Sequence, residues 1–199
     1  MSDLAELDRR ALHVAQKVVD RVTVDQLSLP TPCSAWDLGQ LLAHMTGQNH
    51  GFAAAARGER TDSSAWVDRP VGAEPGKVFA ASAAEIVAAF ADAGALEREW
   101  WLPEVRGGQS FPGAEAMGFH FVDYVVHAWD VAAAIGVTVE FDADLLTAVL
   151  PIAEAVPGGT ARTRPGASFA PALSLDRPDE PATLDQVLRV LGRSPNWPK

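Results

Sequence analysis

The segment Phe119-His120-Phe121-Val122-Asp123-Tyr124-Val125-Val126-His127-Ala128-Trp129-Asp130 constrains this chain more than any other, because it sets a carboxylate and an imidazole four residues apart inside an apolar run. The pattern predicts a helix. Successive helical residues turn by about 100°, so Asp123 and His127 share one face and can converge on a single metal ion. An aspartate between Val122 and Val125 has otherwise to be buried unpaired or to face a polar cavity. A third ligand must come from elsewhere, and His44 is the best candidate. In Leu38-Gly39-Gln40-Leu41-Leu42-Ala43-His44-Met45 its neighbours are apolar where a solvent-facing histidine would more often have charged ones. The competing reading of His44 is a core histidine with a satisfied hydrogen bond.

The rest of the pattern predicts a mainly α architecture around these two segments. Residues 2–22 repeat Leu4, Leu7, Ala11, Val14, Val18 and Val22 at helical spacing. Pro30 and Pro32 interrupt, and Ser34-Ala35-Trp36-Asp37 resembles a capping box that starts a second helix running to Arg57 before Gly58. Gly47 and Gly51 fall on the stripe of His44 and are expected to leave room beside it. A long connection from Gly58 to Gly76 leads to a third helix from about Lys77 to Gly94. Trp100 to Phe111 reads as irregular, and Pro112-Gly113 opens a fourth helix that ends at Gly136. Four long helices with two long crossings predict a four-helix bundle over residues 1–136. Residues 137–199 read as a small α/β appendage packed on the bundle. It comprises an extended Val137–Phe141, a helix from Asp142 to about Ala155, a weak strand at Phe169–Leu175 and a short helix over Thr183–Leu191.

Bulk properties exclude several classes of function. With 26 acidic against 16 basic residues the formal net charge is -10, and no Lys/Arg stripe offers the counterion release that nucleic-acid binding requires. The single cysteine, Cys33, rules out an intramolecular disulfide and reads first as a small buried hydrophobe, the alternative being a thiol whose pKa is lowered by the helix N-terminus that follows it. An acidic, patterned start is unlike a signal peptide, and no apolar run is long enough to span a membrane, so a cytoplasmic location is expected. Trp36 and Trp129 read as core anchors. Trp66, Trp100 and Trp101 would wall a pocket or lid the bundle.

Taken in order, Thr31-Pro32-Cys33-Ser34-Ala35-Trp36-Asp37, then Leu42-Ala43-His44, then Asp123-Tyr124-Val125-Val126-His127-Ala128-Trp129-Asp130-Val131-Ala132 form a recognisable set. It resembles the mycothiol-dependent maleylpyruvate isomerase N-terminal-domain family of actinobacteria, within the wider DinB-like superfamily, over roughly residues 5 to 136. The ending Leu191-Gly192-Arg193-Ser194-Pro195-Asn196-Trp197 is similar to a tail of its small single-chain members. The resemblance implies a DinB-like four-helix bundle. It also implies a divalent metal, usually zinc or nickel, held by a histidine of the second helix and an acidic-x-x-x-His pair of the fourth. Those roles carry over to His44, Asp123 and His127, with aspartate where the isomerases have glutamate.

Two imidazoles and one carboxylate leave a zinc ion an open position, the arrangement of catalytic sites. There a low-molecular-weight thiol such as mycothiol would lose its proton and attack a small electrophilic substrate. The expected reaction is isomerisation of that substrate or S-transfer to it. A metal-containing binding protein without catalysis and a metal-assisted hydrolase are the alternatives. His120, on nearly the same stripe as His127, is the candidate proton carrier, with a cavity wall as its blander role. Asp130, one turn beyond His127, either satisfies local donors or orients that imidazole. The expected partners are a small-molecule substrate and a thiol, and residues 137–199 either cover the bundle or mediate association into a homodimer.

Overall fold

Asp3 opens the first helix by accepting a hydrogen bond from the Ala5 amide at 3.2 Å. From there α1 (Leu4–Val19) buries Leu7, Ala11, Leu12, Ala15, Val18 and Val19 along one face. The protein is seen here in a computed structural model that describes residues 3–59, 63–105, 107–164, 167–174 and 181–198. The proline-bearing segment ahead of the second helix folds back on itself. Thr31 Oγ1 bonds to the carbonyls of Cys33 and Trp36 at 3.0 and 2.9 Å, and Pro30 bridges to Asp37. Asp37 rather than Ser34 then caps α2 (Leu38–Ala56), its carboxylate accepting from Gln40 N at 2.8 Å while the Gln40 side chain accepts from Asp37 N at 3.0 Å.

The third helix, α3 (Pro75–Phe90), has proline in its first turn, where a missing N–H costs nothing. The stretch expected to be irregular is instead a hairpin. β1 (Glu99–Leu102) pairs antiparallel with β2 (Gln109–Pro112), with Trp100 opposite Phe111. Trp100 is fully buried and its indole N–H donates to Ala95 O at 2.9 Å. The strand leads directly into α4 (Gly113–Ala134), the longest helix. Helix α1 packs on α4 and α3, and α2 packs on α3 and α4, which makes the four-helix bundle. Tyr124, Phe79, Phe121, Leu12 and Met45 are among its fully buried side chains.

The chain divides into two compact units, Met1–Val139 and Glu140–Lys199. In the second unit α5 (Ala143–Glu154) packs on α6 (Leu184–Val190), which Thr183 caps through Gln186 N. Arg162 ties this unit together by donating to the carbonyls of Val156, Pro157 and Val190. The strand expected at Phe169–Leu175 is not formed over residues 169–174, where Leu173 N instead donates to Arg189 O at 2.8 Å; Leu175 lies outside the described residues. Val137–Phe141 likewise forms no strand, so the two-stranded sheet belongs to the first unit. Among the described residues no helix is long and apolar enough to cross a membrane.

Candidate metal centre

Helix α2 presents His44, and α4 presents Asp123 and His127 from one face, as the four-residue spacing requires. Their three donor atoms lie within 4.8 Å of one another. His127 Nε2 is 3.3 Å from Asp123 Oδ1, and the His44 and His127 rings meet edge to face with centroids 5.8 Å apart. Only 5% of the His127 side chain is exposed, whereas His44 and Asp123 keep 19% and 22%, so the cluster opens to solvent on one side.

The electrostatics suit a cation. Burial pushes the Asp123 carboxyl up, but the charge and hydrogen bond of His127, with the charges of His44 and His120, outweigh it and lower the carboxyl to about 2. For His127, burial works downward and is overcome by the Asp123 charge and by hydrogen bonds with Asp123, Asp130 and Cys33, so the imidazole titrates well above its ordinary range. Burial lowers His44, with Asp123 pulling the other way. In the metal-free protein the Asp123 charge is thus paired with a protonated His127, and a divalent ion such as zinc would replace that proton on a donor set of one carboxylate and two imidazoles, with room for a further ligand.

Both imidazoles are backed by a carboxylate. Asp130 is fully buried, and its Oδ2 lies 3.0 Å from His127 Nδ1. Asp68 Oδ1, from the connection between α2 and α3, lies 3.4 Å from His44 Nδ1. Such partners fix the tautomer and orientation of a ligating ring. Cys33 departs from its expected role as a buried hydrophobe. It is half-buried, donates through Sγ to Asp130 Oδ2 at 3.1 Å and sits 4.0 Å from His127 Nδ1. Cys33, His127 and Asp130 thus form a second group with metal-binding dimensions on the other side of the shared ring. Trp36 is not a core anchor either. Half-buried, it lies against His44 with ring centroids 4.4 Å apart and forms a wall of the site.

His120 stands apart from this cluster. Its ring is fully buried, with Nδ1 2.6 Å from Asp8 Oδ1 and Nε2 3.2 Å from Asn49 Oδ1. A chain of buried polar side chains continues from it. Ser82 Oγ donates to Phe79 O at 2.8 Å, so it accepts from Asn49 Nδ2 at 2.8 Å, and Asn49 Oδ1 faces His120. Both ring nitrogens are thus engaged by neighbouring side chains, and the ring is sealed from solvent. The geometry gives His120 the role of a polar core residue linking α1, α2, α3 and α4.

The glycines on the His44 stripe also act otherwise than expected. They do not hold space open: a Cβ on Gly47 would lie 2.7 Å from Val67 O, and one on Gly51 would overlap the Trp66 indole. Trp66, Val67 and Asp68 occupy that space, with Trp66 buried against Phe52. Asp68 was out of reach of pattern reading for this reason, since a single loop aspartate carries no periodicity. The Trp-Asp pair at 36–37 is the one signal for Trp36, whereas the one-turn spacing from His127 already offers Asp130 as the residue that orients that ring.

Comparison with known proteins agrees with this architecture. The model of the mycothiol maleylpyruvate isomerase N-terminal domain matches residues 9–132. An uncharacterized protein of Mycobacterium tuberculosis, found in strains H37Rv and CDC 1551, is 34% identical over 195 residues, covering 94% of this chain and 95% of its own. Among solved structures, the crystal structure of the mycothiol-dependent maleylpyruvate isomerase superposes with a TM-score of 0.60 at 16% identity, over 80% of this chain and 70% of the other. A histidine-to-alanine mutant of that enzyme gives 0.62 at 17% identity, over 83% and 72%. At those identities the likeness is one of fold, and it is the match across most of the bundle that assigns this chain to the mycothiol maleylpyruvate isomerase N-terminal domain family.

Proposed function

We propose that this protein is a divalent-metal enzyme that activates a low-molecular-weight thiol, mycothiol by family, for isomerisation of a small electrophile or S-transfer to it. The observation that carries this reading is the convergence of His44, Asp123 and His127 within 4.8 Å at a solvent-facing opening. His44, Asp123 and His127 would hold a divalent cation, zinc being the best match to two imidazoles and a carboxylate, and the chemistry it would supply when bound is a lowered thiol pKa. The chain's own groups do the rest. Asp130 orients His127 through Nδ1, and Asp123 contributes the negative charge that favours a cation. Trp36, packed on His44, offers an apolar wall to an unsaturated substrate. A hydrolytic reading with His120 as general base draws no support from a ring that is buried and bonded at both nitrogens.

Elemental mass spectrometry of tag-free protein tests the metal. Near-stoichiometric zinc or nickel is expected, and protein that neither carries nor takes up either ion would sink the proposal. Cobalt-substituted protein then tests the thiol. Adding mycothiol should bring up a thiolate-to-cobalt absorption band, whereas an unchanged spectrum at millimolar thiol would leave a metal protein without thiol chemistry.

A further inference from the structure

The connection between α2 and α3 is seated on the bundle at three points. Trp66 is 3% exposed and meets Phe52 edge to face at 4.9 Å; the backbone of Val67 fills the space that Gly47 leaves; and Arg69 N donates to Ala43 O at 3.0 Å. The last contact is one residue from His44, and all three lie along the stripe of α2 that carries it. Close approach of this kind requires glycine, because any side chain at Gly47 or Gly51 would collide with the loop. Between these anchors the loop holds Asp68 with its carboxylate 3.4 Å from His44 Nδ1 while its side chain stays 54% exposed. An exposed aspartate contributes little to stability. Its placement therefore matters chiefly to the ring it faces.

We infer that Asp68 is a positioning residue for His44, delivered by a loop that Gly47, Gly51 and Trp66 lock onto α2, so that each imidazole of the metal centre has its own carboxylate partner at Nδ1. The inference rests on the metal reading above and deepens it. On α4 the partner of His127 is buried and local, three residues along the same helix. On α2 the partner is half-exposed and comes from 24 positions further along the chain, on a segment of its own. The Asp68 charge, 3.4 Å from His44 Nδ1, favours the tautomer that carries the proton on that nitrogen and so leaves Nε2 for the cluster. An imidazole without this partner exchanges tautomers and rotates, and ligating histidines that lose such a partner typically bind their metal ten- to a hundredfold more weakly.

The test titrates the full chain with zinc against a chromogenic chelator and reads the His44 tautomer by ¹⁵N NMR in the metal-free protein. Asp68→Ala should weaken zinc about tenfold to a hundredfold and move His44 away from the Nδ1–H tautomer, with an unchanged melting temperature. Asp68→Glu, which keeps the carboxylate, should recover part of the affinity. In a His44→Ala background Asp68→Ala should have no further effect on zinc. Gly51→Val, which displaces Trp66, should reproduce the zinc loss with a fall in melting temperature; should it fail to fold, the Asp68 variants decide alone. If the parent protein binds zinc and Asp68→Ala binds it within twofold with an unshifted tautomer, the inference is overturned and the metal reading stands. If the parent binds neither zinc nor nickel, both fall.

Discussion

Two polar layers cross the same bundle, and α4 contributes a histidine to each. His120 and His127 lie seven residues apart, almost in line on one helix face. The first belongs to a closed layer: Asp8, His120, Asn49 and Ser82 are all buried and bond to one another from four helices. The second belongs to an open layer, in which His44 and Asp123 keep a fifth of their side chains exposed and their donor atoms converge on a common point. Both layers pair an imidazole with a carboxylate, so residue type alone does not tell a structural network from a metal centre. What separates them is where the unspent lone pairs go. In the closed layer one atom, Asp8 Oδ2, has no partner, and it is sealed from solvent. In the open layer the remaining lone pairs face a place that an ion and a substrate can reach.

The largest expected effect breaks the layers apart by function. His127→Ala and Asp123→Ala should each reduce bound zinc to background by elemental analysis while the protein remains folded by circular dichroism. His120→Ala should do the reverse. It strands the Asp8 carboxylate in the core and should cost about 3–5 kcal/mol in urea unfolding, with zinc per folded chain unchanged. Equal zinc loss in folded His120→Ala protein would erase the distinction.

A pH series is the next sharpest probe, because zinc has to displace a proton from the open layer. His127 is held protonated well above its ordinary range by burial-opposed pairing with Asp123, so its contribution to the metal-free fold is complete below about 6.5 and is lost as pH rises through the folded value. Asp123, lowered to about 2, contributes above its unfolded value of 3.8 and loses that contribution only as pH falls toward 2. Zinc affinity should therefore rise about tenfold per pH unit from pH 6 upward, as one proton is released per ion. Isothermal titration in buffers of different ionisation enthalpy measures that proton count. A flat profile would mean that His127 is not a ligand.

Much of this was readable in advance, and the failures share a cause. The helices announced themselves through apolar spacing, glycine stops and capping residues, and the Asp123–His127 pair through one helical turn. The hairpin did not, because strands of four residues such as Glu99-Trp100-Trp101-Leu102 are too short to display alternation. The partner of His120 lies 112 residues away, and local pattern cannot supply such a contact. Gly47 and Gly51 were visible as gaps on the His44 stripe, yet a sequence does not say what fills a gap. Residue type points Cys33 and Trp36 to the core, and only the fold of the Pro30–Asp37 loop brings them beside α4 and α2.

The smallest effect asks whether the two layers communicate. Tyr124 lies between them: its ring stacks on His120 at 4.1 Å, and its hydroxyl donates to Met45 O at 2.5 Å, one residue from His44. Burial raises the phenol well above its ordinary range, so the hydroxyl stays a neutral donor at any working pH. Tyr124→Phe removes that donor and leaves the stacked ring in place. The carbonyl it abandons sits inside α2 and can still accept from the helix, so the cost should be only about 1 kcal/mol in urea unfolding. If each layer is held by its own partners, zinc affinity should stay within threefold by chelator competition. A tenfold fall would show that the closed layer sets the position of His44 through α2, and the contrast between a structural and a functional layer would then give way to one coupled network.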